Sequence, residues 1–235
     1  MDERAQWIGE RLREVRERIT RACDAAGRAP HEVTLIAITK THPVADVERL
    51  LDLGVSDIGE NRDQEARPKI EAARATGRLL RAHFVGQLQT NKAASVAQYA
   101  DVVHSVDRAR LVAALDRGAL AAGRRLGVLV EVGLADGTPT GAQPSAAERG
   151  GVAIADVLQL AALVADSAAL DLRGVMGIAP LDGDPLAAFT RLADIAAQVR
   201  ARYPAATWIS AGMSGDLEAA IACGATHVRV GTAIL

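Results

Sequence analysis

The chain has 235 residues, 49% of them hydrophobic, and a formal net charge of −2. That length builds one large domain or two small ones. The near-neutral balance gives no electrostatic basis for binding nucleic acid or an anionic membrane. Aromatic residues make up 3%, so a core has to be packed from Ala, Val, Leu and Ile.

Residues 3–27 read as an amphipathic helix. Ile8, Leu12, Val15, Ile19 and Cys23 recur at steps of three and four. Pairs such as Glu10 with Arg13 and Glu14 with Arg18 mark a solvated face, and Cys23 is expected as a buried thiol. After Pro30 the pattern changes to eight short apolar runs: Val33–Thr39, Val55–Gly59, Ala82–Gly86, Val102–Val106, Gly127–Val132, Leu172–Ile178, Thr207–Ala211 and His227–Gly231. Helical stretches are expected between them at 44–53, 62–76, 90–99, 107–122, 152–168, 185–202 and 215–223. Asp107 and Pro185 are start signals, and Gly54, Gly77, Gly123 and Gly224 are stops. Continuous apolar strands alternating with helices imply parallel strands buried on both faces. Eight of them in about 200 residues predict an α/β fold, a single (β/α)8 TIM barrel with an extra N-terminal helix. The segment 135–148, ADGTPTGAQPSAAE, reads as an exposed insertion in one βα loop. No linker divides the chain.

No apolar stretch of signal-peptide length follows Met1-Asp2-Glu3-Arg4, and no apolar run would cross a bilayer, so neither a signal peptide nor a membrane span is expected. The two cysteines and five histidines show no metal-ligand spacing. The expected compartment is the reducing cytosol.

Active sites of such barrels lie at the C-terminal ends of the strands. Residues there include Lys40, Glu60, Asn61, His83, Gln87, Met176, Ser210 through Gly215, Arg229, Gly231 and Thr232. The basic residues are 24 arginines and three lysines, Lys40, Lys69 and Lys92. A lysine amine forms a Schiff base with a carbonyl, which a guanidinium cannot. To attack, Lys40 must be neutral, which calls for burial or a nearby cation such as Arg229. The loops after strands 7 and 8 are the fold's usual phosphate site. Here Gly212, Ser214-Gly215 leading into a helix, and Gly231-Thr232 offer backbone donors. An amine facing a phosphate cradle suits a ligand carrying an aldehyde and a phosphate. A sugar-phosphate aldolase and a pyridoxal 5′-phosphate (PLP) protein both need that pair. Lys69 is expected in solvent and Lys92 at a helix start.

The motifs VTLIAITKT from Val33, GEN from Gly59, HFVGQLQTNK from His83, LRGVMGI from Leu172, GMSGD from Gly212 and VRVGTAI from Val228 occur in order over nearly the whole chain. They resemble the pyridoxal phosphate homeostasis proteins. The resemblance implies a barrel like the N-terminal domain of alanine racemase, with PLP as a Schiff base on Lys40. Ser214, Gly231 and Thr232 would hold the phosphate, with Ser210 and Gly212 in the same loop. Arg229 would sit near the pyridine nitrogen, and Asn61, His83 and Met176 would line the pocket. A cation there disfavours protonation of the ring and weakens it as an electron sink.

Two departures stand out. Arg149-Gly150-Gly151-Val152 replaces a lysine-containing motif after strand 5, and the family's Phe-Gly-Ala/Ser-Arg tail does not follow, so a shortened last helix is expected. The implied function is intracellular PLP homeostasis with little catalysis. Partners would be PLP and PLP-dependent apo-enzymes as acceptors, and the state would be a monomer. The alternative is an amino-acid racemase, which needs acid–base groups on both faces of the bound ring. The only tyrosines, Tyr99 and Tyr203, fall in or at the ends of expected helices.

Overall fold

The structure, a computed structural model, describes residues 2–134 and 150–235. The insertion expected at 135–148 and Arg149 lie outside the described residues. Eight parallel strands form a closed barrel in sequence order: β1 Thr34–Ile38, β2 Asp57–Glu60, β3 Arg81–Phe84, β4 Val102–Val106, β5 Leu126–Val132, β6 Leu170–Gly177, β7 Trp208–Ser210 and β8 His227–Val230. Ring closure comes from β1, which pairs with β2 on one side and with β8 on the other. Each expected run overlaps one strand, and the strand extends one or two residues beyond it at β2, β3, β5 and β6.

The helices are α1 Glu3–Ala25, α2 Val44–Asp52, α3 Asp63–Ala75, α4 Ala93–Tyr99, α5 Ala109–Ala121, α6 Val157–Ala165, α7 Pro185–Arg202 and α8 Leu217–Ala222. Residues 90–92 and 154–156 open as 3-10 turns ahead of α4 and α6, so the helices start later than the periodicity implied. Lys92 is the N-cap position of α4. Arg108, not Asp107, caps α5. Pro185 opens α7 behind Asp184, whose carboxylate accepts from the Leu186 N–H. The four expected stop glycines all have φ between 64° and 90°, a region where a side chain would be strained.

Strand alternation sorts the side chains into two layers. Ala37, Ile58, Ala82, Phe84, Val103, Val128, Val130, Val175, Val228 and Val230 join the outer core against the helices. Their neighbours Ile36, His83, His104, Leu129, Met176, Ser210 and Arg229 therefore face into the barrel. That interior is polar for a barrel core and holds a small apolar cluster of Val102, Leu129 and Met176. One glycine is forced: Gly174 has φ +149°, and a Cβ there would sit 1.9 Å from the Trp208 carbonyl oxygen. It lies where the β5–β6 register shifts, so a side chain would pry β7 from the barrel.

Helix α1 covers the outside. Ile8, Leu12, Val15, Ile19 and Cys23 form its buried stripe, as the spacing predicted. Arg18 departs from expectation. It does not pair with Glu14. It forks onto Glu218 at 2.7 and 2.9 Å and donates to the Ser214 carbonyl at 3.0 Å.

Candidate functional site

A cleft of about 330 Å³ opens at the C-terminal ends of the strands, lined by Ile38, Lys40, Asn61, Val85, Ile178, Met213, Ser214, Gly215, Arg229, Gly231 and Thr232. These residues come from the ends of β1, β2, β3, β6 and β8 and from the loop after β7. Six of the expected site residues meet in it: Lys40, Asn61, Ser214, Arg229, Gly231 and Thr232.

One end of the cleft is an anion cradle. The backbone N–H groups of Ser214, Gly215, Thr232 and Ala233 donate to no described residue. The Thr232 and Ser214 hydroxyls lie 3.3 Å apart. The cradle differs from expectation in its origin. Helix α8 is six residues long and starts only at Leu217, so the Ser214 and Gly215 donors belong to the loop ahead of it, and those of Thr232 and Ala233 to the loop after β8. The loop ahead of α8 is tied by the Met213 N–H on the Asp216 carboxylate at 2.6 Å. Two arginines of α1 grip the two cradle loops from outside. Arg11 donates to the carbonyls of Thr232 at 2.9 Å and Ala233 at 3.2 Å, and Arg18 donates to that of Ser214. Turning those carbonyls outward leaves the neighbouring N–H groups facing the cleft. Helical periodicity gave no hint of this role for α1.

The two lysines exchange their expected settings. Lys40 lines the cleft but is exposed, and Arg229 is the cation that shares the cleft with it. Lys69, expected in solvent, is 7% exposed. Its ammonium donates to Glu60 at 2.7 Å, Glu65 at 2.8 Å and the Thr39 carbonyl at 2.8 Å. Glu60 also accepts from the Thr39 hydroxyl at 2.5 Å. Burial raises the Glu60 carboxyl above its ordinary range, and Lys69 and Thr39 offset only part of that. Glu65 accepts the Thr41 N–H at 2.5 Å, and Thr41 has φ +66°, a strained conformation for a β-branched residue. The turn that presents Lys40 is thus held from below by Lys69 and Glu65. The i, i+4 spacing of Glu65 and Lys69 was the available sequence signal.

Four expected site residues do not line the cleft. Met176 is packed in the apolar cluster inside the barrel. Gly212, at φ +87°, lies against Ala220 and Leu217, where it serves the close packing of α8. Ser210 and His83 are buried deeper. Ser210 reaches the site through Arg229, whose Nη1 donates to its Oγ at 2.7 Å, while Nη2 donates to the Gly177 carbonyl at 3.1 Å. Burial lowers the Arg229 guanidinium to about 10, with Asp216 and Glu131 as opposing charges. It remains a cation at neutral pH.

Chemically, the cleft offers one primary amine, one oriented guanidinium and a cradle of neutral donors. The buried Asn61 Oδ1 has no partner among the described residues. Among the described residues there is no group of three or more side chains that could hold a metal, and no helix is long and apolar enough to cross a membrane.

Residues 11–235 match the alanine racemase N-terminal domain family. The pyridoxal phosphate homeostasis protein of Mycobacterium tuberculosis is 44% identical over 245 residues, which covers 95% of this chain and 90% of the relative. The solved structure of PipY from Synechococcus elongatus with PLP bound superposes with a TM-score of 0.80 at 33% identity, covering 97% of this chain and 99% of PipY. Alanine racemase from Corynebacterium glutamicum shares the fold, with a TM-score of 0.66 at 14% identity, and this chain spans 60% of its length. By its barrel, its motifs and these similarities, the chain belongs to the pyridoxal phosphate homeostasis proteins of the alanine racemase N-terminal domain family.

Proposed function

We propose that this chain binds PLP in the cleft, holds it covalently through the Lys40 amine, and takes part in vitamin B6 homeostasis in the cytosol as a monomer with little catalysis of its own. The observation that carries the reading is the placement of Lys40 and the loop N–H groups of Ser214, Gly215 and Thr232, which donate to no described residue, in one cleft with Arg229. The residues present fit the group: neutral N–H donors and two hydroxyls suit a phosphate, and an exposed amine is open to an aldehyde carbon. PLP brings an electrophilic aldehyde and a ring that can take up electrons. Ser214, Gly215, Gly231 and Thr232 orient the anionic end. Arg229 places a cation where the resemblance sets the pyridine nitrogen and so weakens that electron uptake. Asn61, with its free carbonyl oxygen, accepts from a donor on the ligand.

The carrier reading is favoured over a racemase by where the acids and bases lie. Among the described lining residues, Lys40 and Arg229 are the titratable ones. Tyr99 is 2% exposed at the end of α4, and Tyr203 caps α7. Neither lines the cleft to serve a second face. An open cleft also suits transfer of PLP to acceptor apo-enzymes.

The test is absorbance after PLP addition, with and without borohydride, followed by peptide mass mapping. The pyridoxyl mass is expected on Lys40, and Lys40→Ala is expected to lose the yellow colour. A fully yellow Lys40→Ala overturns the lysine assignment. Rapid racemisation of L-alanine overturns the carrier reading.

A further inference from the structure

The inside of the barrel holds a continuous polar chain below the cleft. Arg229 Nη1 donates to Ser210 Oγ at 2.7 Å. Ser210 Oγ lies 2.9 Å from His104 Nδ1, His104 Nε2 lies 2.9 Å from His83 Nδ1, and His83 Nε2 lies 2.9 Å from Asp57 Oδ1. All four interior side chains from His83 to Arg229 are at most 5% exposed. The residues come from β8, β7, β4, β3 and β2, so the chain crosses the interior from the cleft to the barrel floor. Trp208 and His227, with ring centroids 4.0 Å apart, close the floor beside it.

The chemistry of the groups orders its hydrogens. A guanidinium only donates, and an ionised carboxylate only accepts. Burial pushes Asp57 up, but the hydrogen bond from His83, with Ser56 and Arg81, outweighs this and holds its carboxyl below the usual range. It is therefore the accepting end. Burial, then the nearby Arg229 cation, keeps His104 neutral. With a single ring hydrogen, His83 can place it on either nitrogen. If His83 kept it on Nδ1, a bare Nε2 lone pair would face the Asp57 carboxylate at 2.9 Å. The hydrogen therefore sits on Nε2. His83 Nδ1 then accepts from His104 Nε2–H, and His104 Nδ1 accepts the Ser210 hydroxyl. With its hydrogen directed to His104, Ser210 presents only lone pairs to Arg229. Each of the four contacts holds one hydrogen, all pointing from Arg229 toward Asp57.

We propose that His83, His104 and Asp57 are positioning residues that act through Ser210 to hold the Arg229 guanidinium at one place in the cleft. They touch neither the ligand nor the reacting amine. The inference rests on the PLP reading only in what Arg229 faces; the hydrogen order belongs to the protein alone. The groups facing His83 are Asp57 on β2, His104 on β4, and His227 and Arg229 on β8, with Arg81 paired to Asp57 from β3 itself.

The test uses the full chain with 15N-labelled histidine and no added PLP. Long-range 1H–15N spectra at about pH 8, above the ordinary histidine range, report the tautomers. Both His83 and His104 are expected to carry their hydrogen on Nε2. A hydrogen on His104 Nδ1, or a doubly protonated His83, overturns the ordered chain. The second arm is Ser210→Ala. Its His104 Nδ1 resonance is expected to shift as the donor is lost. PLP titrated by absorbance is expected to bind about tenfold more weakly, the scale of one hydrogen bond to a charged group. Unchanged affinity with a shifted His104 overturns the positioning role. If Ser210→Ala does not fold, the tautomers of the unaltered protein still decide the hydrogen order. If PLP fails to reach Lys40 while both histidines carry Nε2–H, the cofactor reading falls and the ordered chain stands.

Discussion

Replacing Lys69 by methionine keeps the length of the side chain and removes its charge. The Lys69 and Glu60 side chains are 6% and 2% exposed, and the ammonium serves Glu60, Glu65 and the Thr39 carbonyl together. In Lys69→Met, Glu60 Oε1 keeps only the Thr39 hydroxyl, and Oε2 already has no partner. Breaking a buried pair from one side costs about 3–5 kcal/mol, because the remaining charge stays desolvated. For a domain of this size that converts to a fall of roughly 6–20 °C in melting temperature. The sign of the pH dependence follows from the carboxyl left behind. Burial already raises Glu60, and loss of Lys69 raises it further. A raised acid binds its proton more tightly when folded, so its folded state loses stability as pH rises past the unfolded value. The deficit of Lys69→Met should therefore be larger at pH 8 than at pH 5. Calorimetry on Lys69→Met, Glu60→Gln and the double variant checks both points. The double variant should recover much of the loss, because no unpaired charge remains. A melting shift below about 2 °C, or strictly additive variants, would refute the reasoning.

Three further predictions follow from the same geometry. Glu131 is 6% exposed at the end of β5, and burial, with Asp107, pushes its carboxyl from 4.5 up to about 7. Stability should fall as pH rises from 4.5 to 7, by up to about 3 kcal/mol; urea titrations should show Glu131→Gln more stable than the natural chain at pH 8 and level with it near pH 4.5, and parallel pH profiles would count against it. A Cβ at Gly86 would lie 2.3 Å from the Asn61 carbonyl oxygen, so Gly86→Ala should displace Asn61 and weaken PLP binding by about tenfold or more, measured by absorbance titration. Loss of the α1 clamps in Arg11→Ala/Arg18→Ala should weaken binding of PLP and of inorganic phosphate alike, by about tenfold, with the Lys40 adduct still formed at saturation; a change confined to PLP would place the effect elsewhere.

The barrel was legible because its strands are buried on both faces, so each reads as an unbroken apolar run, and because Gly54, Gly77, Gly123 and Gly224 stop helices where only a positive φ serves. Helix starts at α4 and α6 were blurred by 3-10 turns that share the helical period. At the site, Lys40, Ser214, Gly231 and Thr232 could be found because strand ends and glycine loops mark themselves in sequence. Burial did not mark itself. Lys69 reads as a solvated helix residue, since a single sequence does not show that Glu60, nine positions earlier, faces the same gap between β2 and α3. His83 and Ser210 read as pocket residues because they sit near strand ends; the strand alternation turns both inward, and only the barrel closure brings His104 between them.

These hidden contacts share one arrangement. The sheet of the barrel separates two polar shells, and each ends on a different handle of the cleft. Outside the sheet, Glu60, Lys69 and Glu65 hold the strained turn after Lys40. Inside it, Asp57, His83, His104 and Ser210 hold Arg229. A third grip, from Arg11 and Arg18, holds the cradle loops from α1. The rigid parts of the site are therefore those that fix position: the turn, the guanidinium and the loop N–H groups. The amine itself stays exposed and makes no hydrogen bond to a described residue. A site built for carbanion chemistry would concentrate its buried charges on the reacting atoms. Here they are spent on supports behind the walls, while the reactive group faces solvent. That division fits the proposed role of holding PLP rather than transforming it.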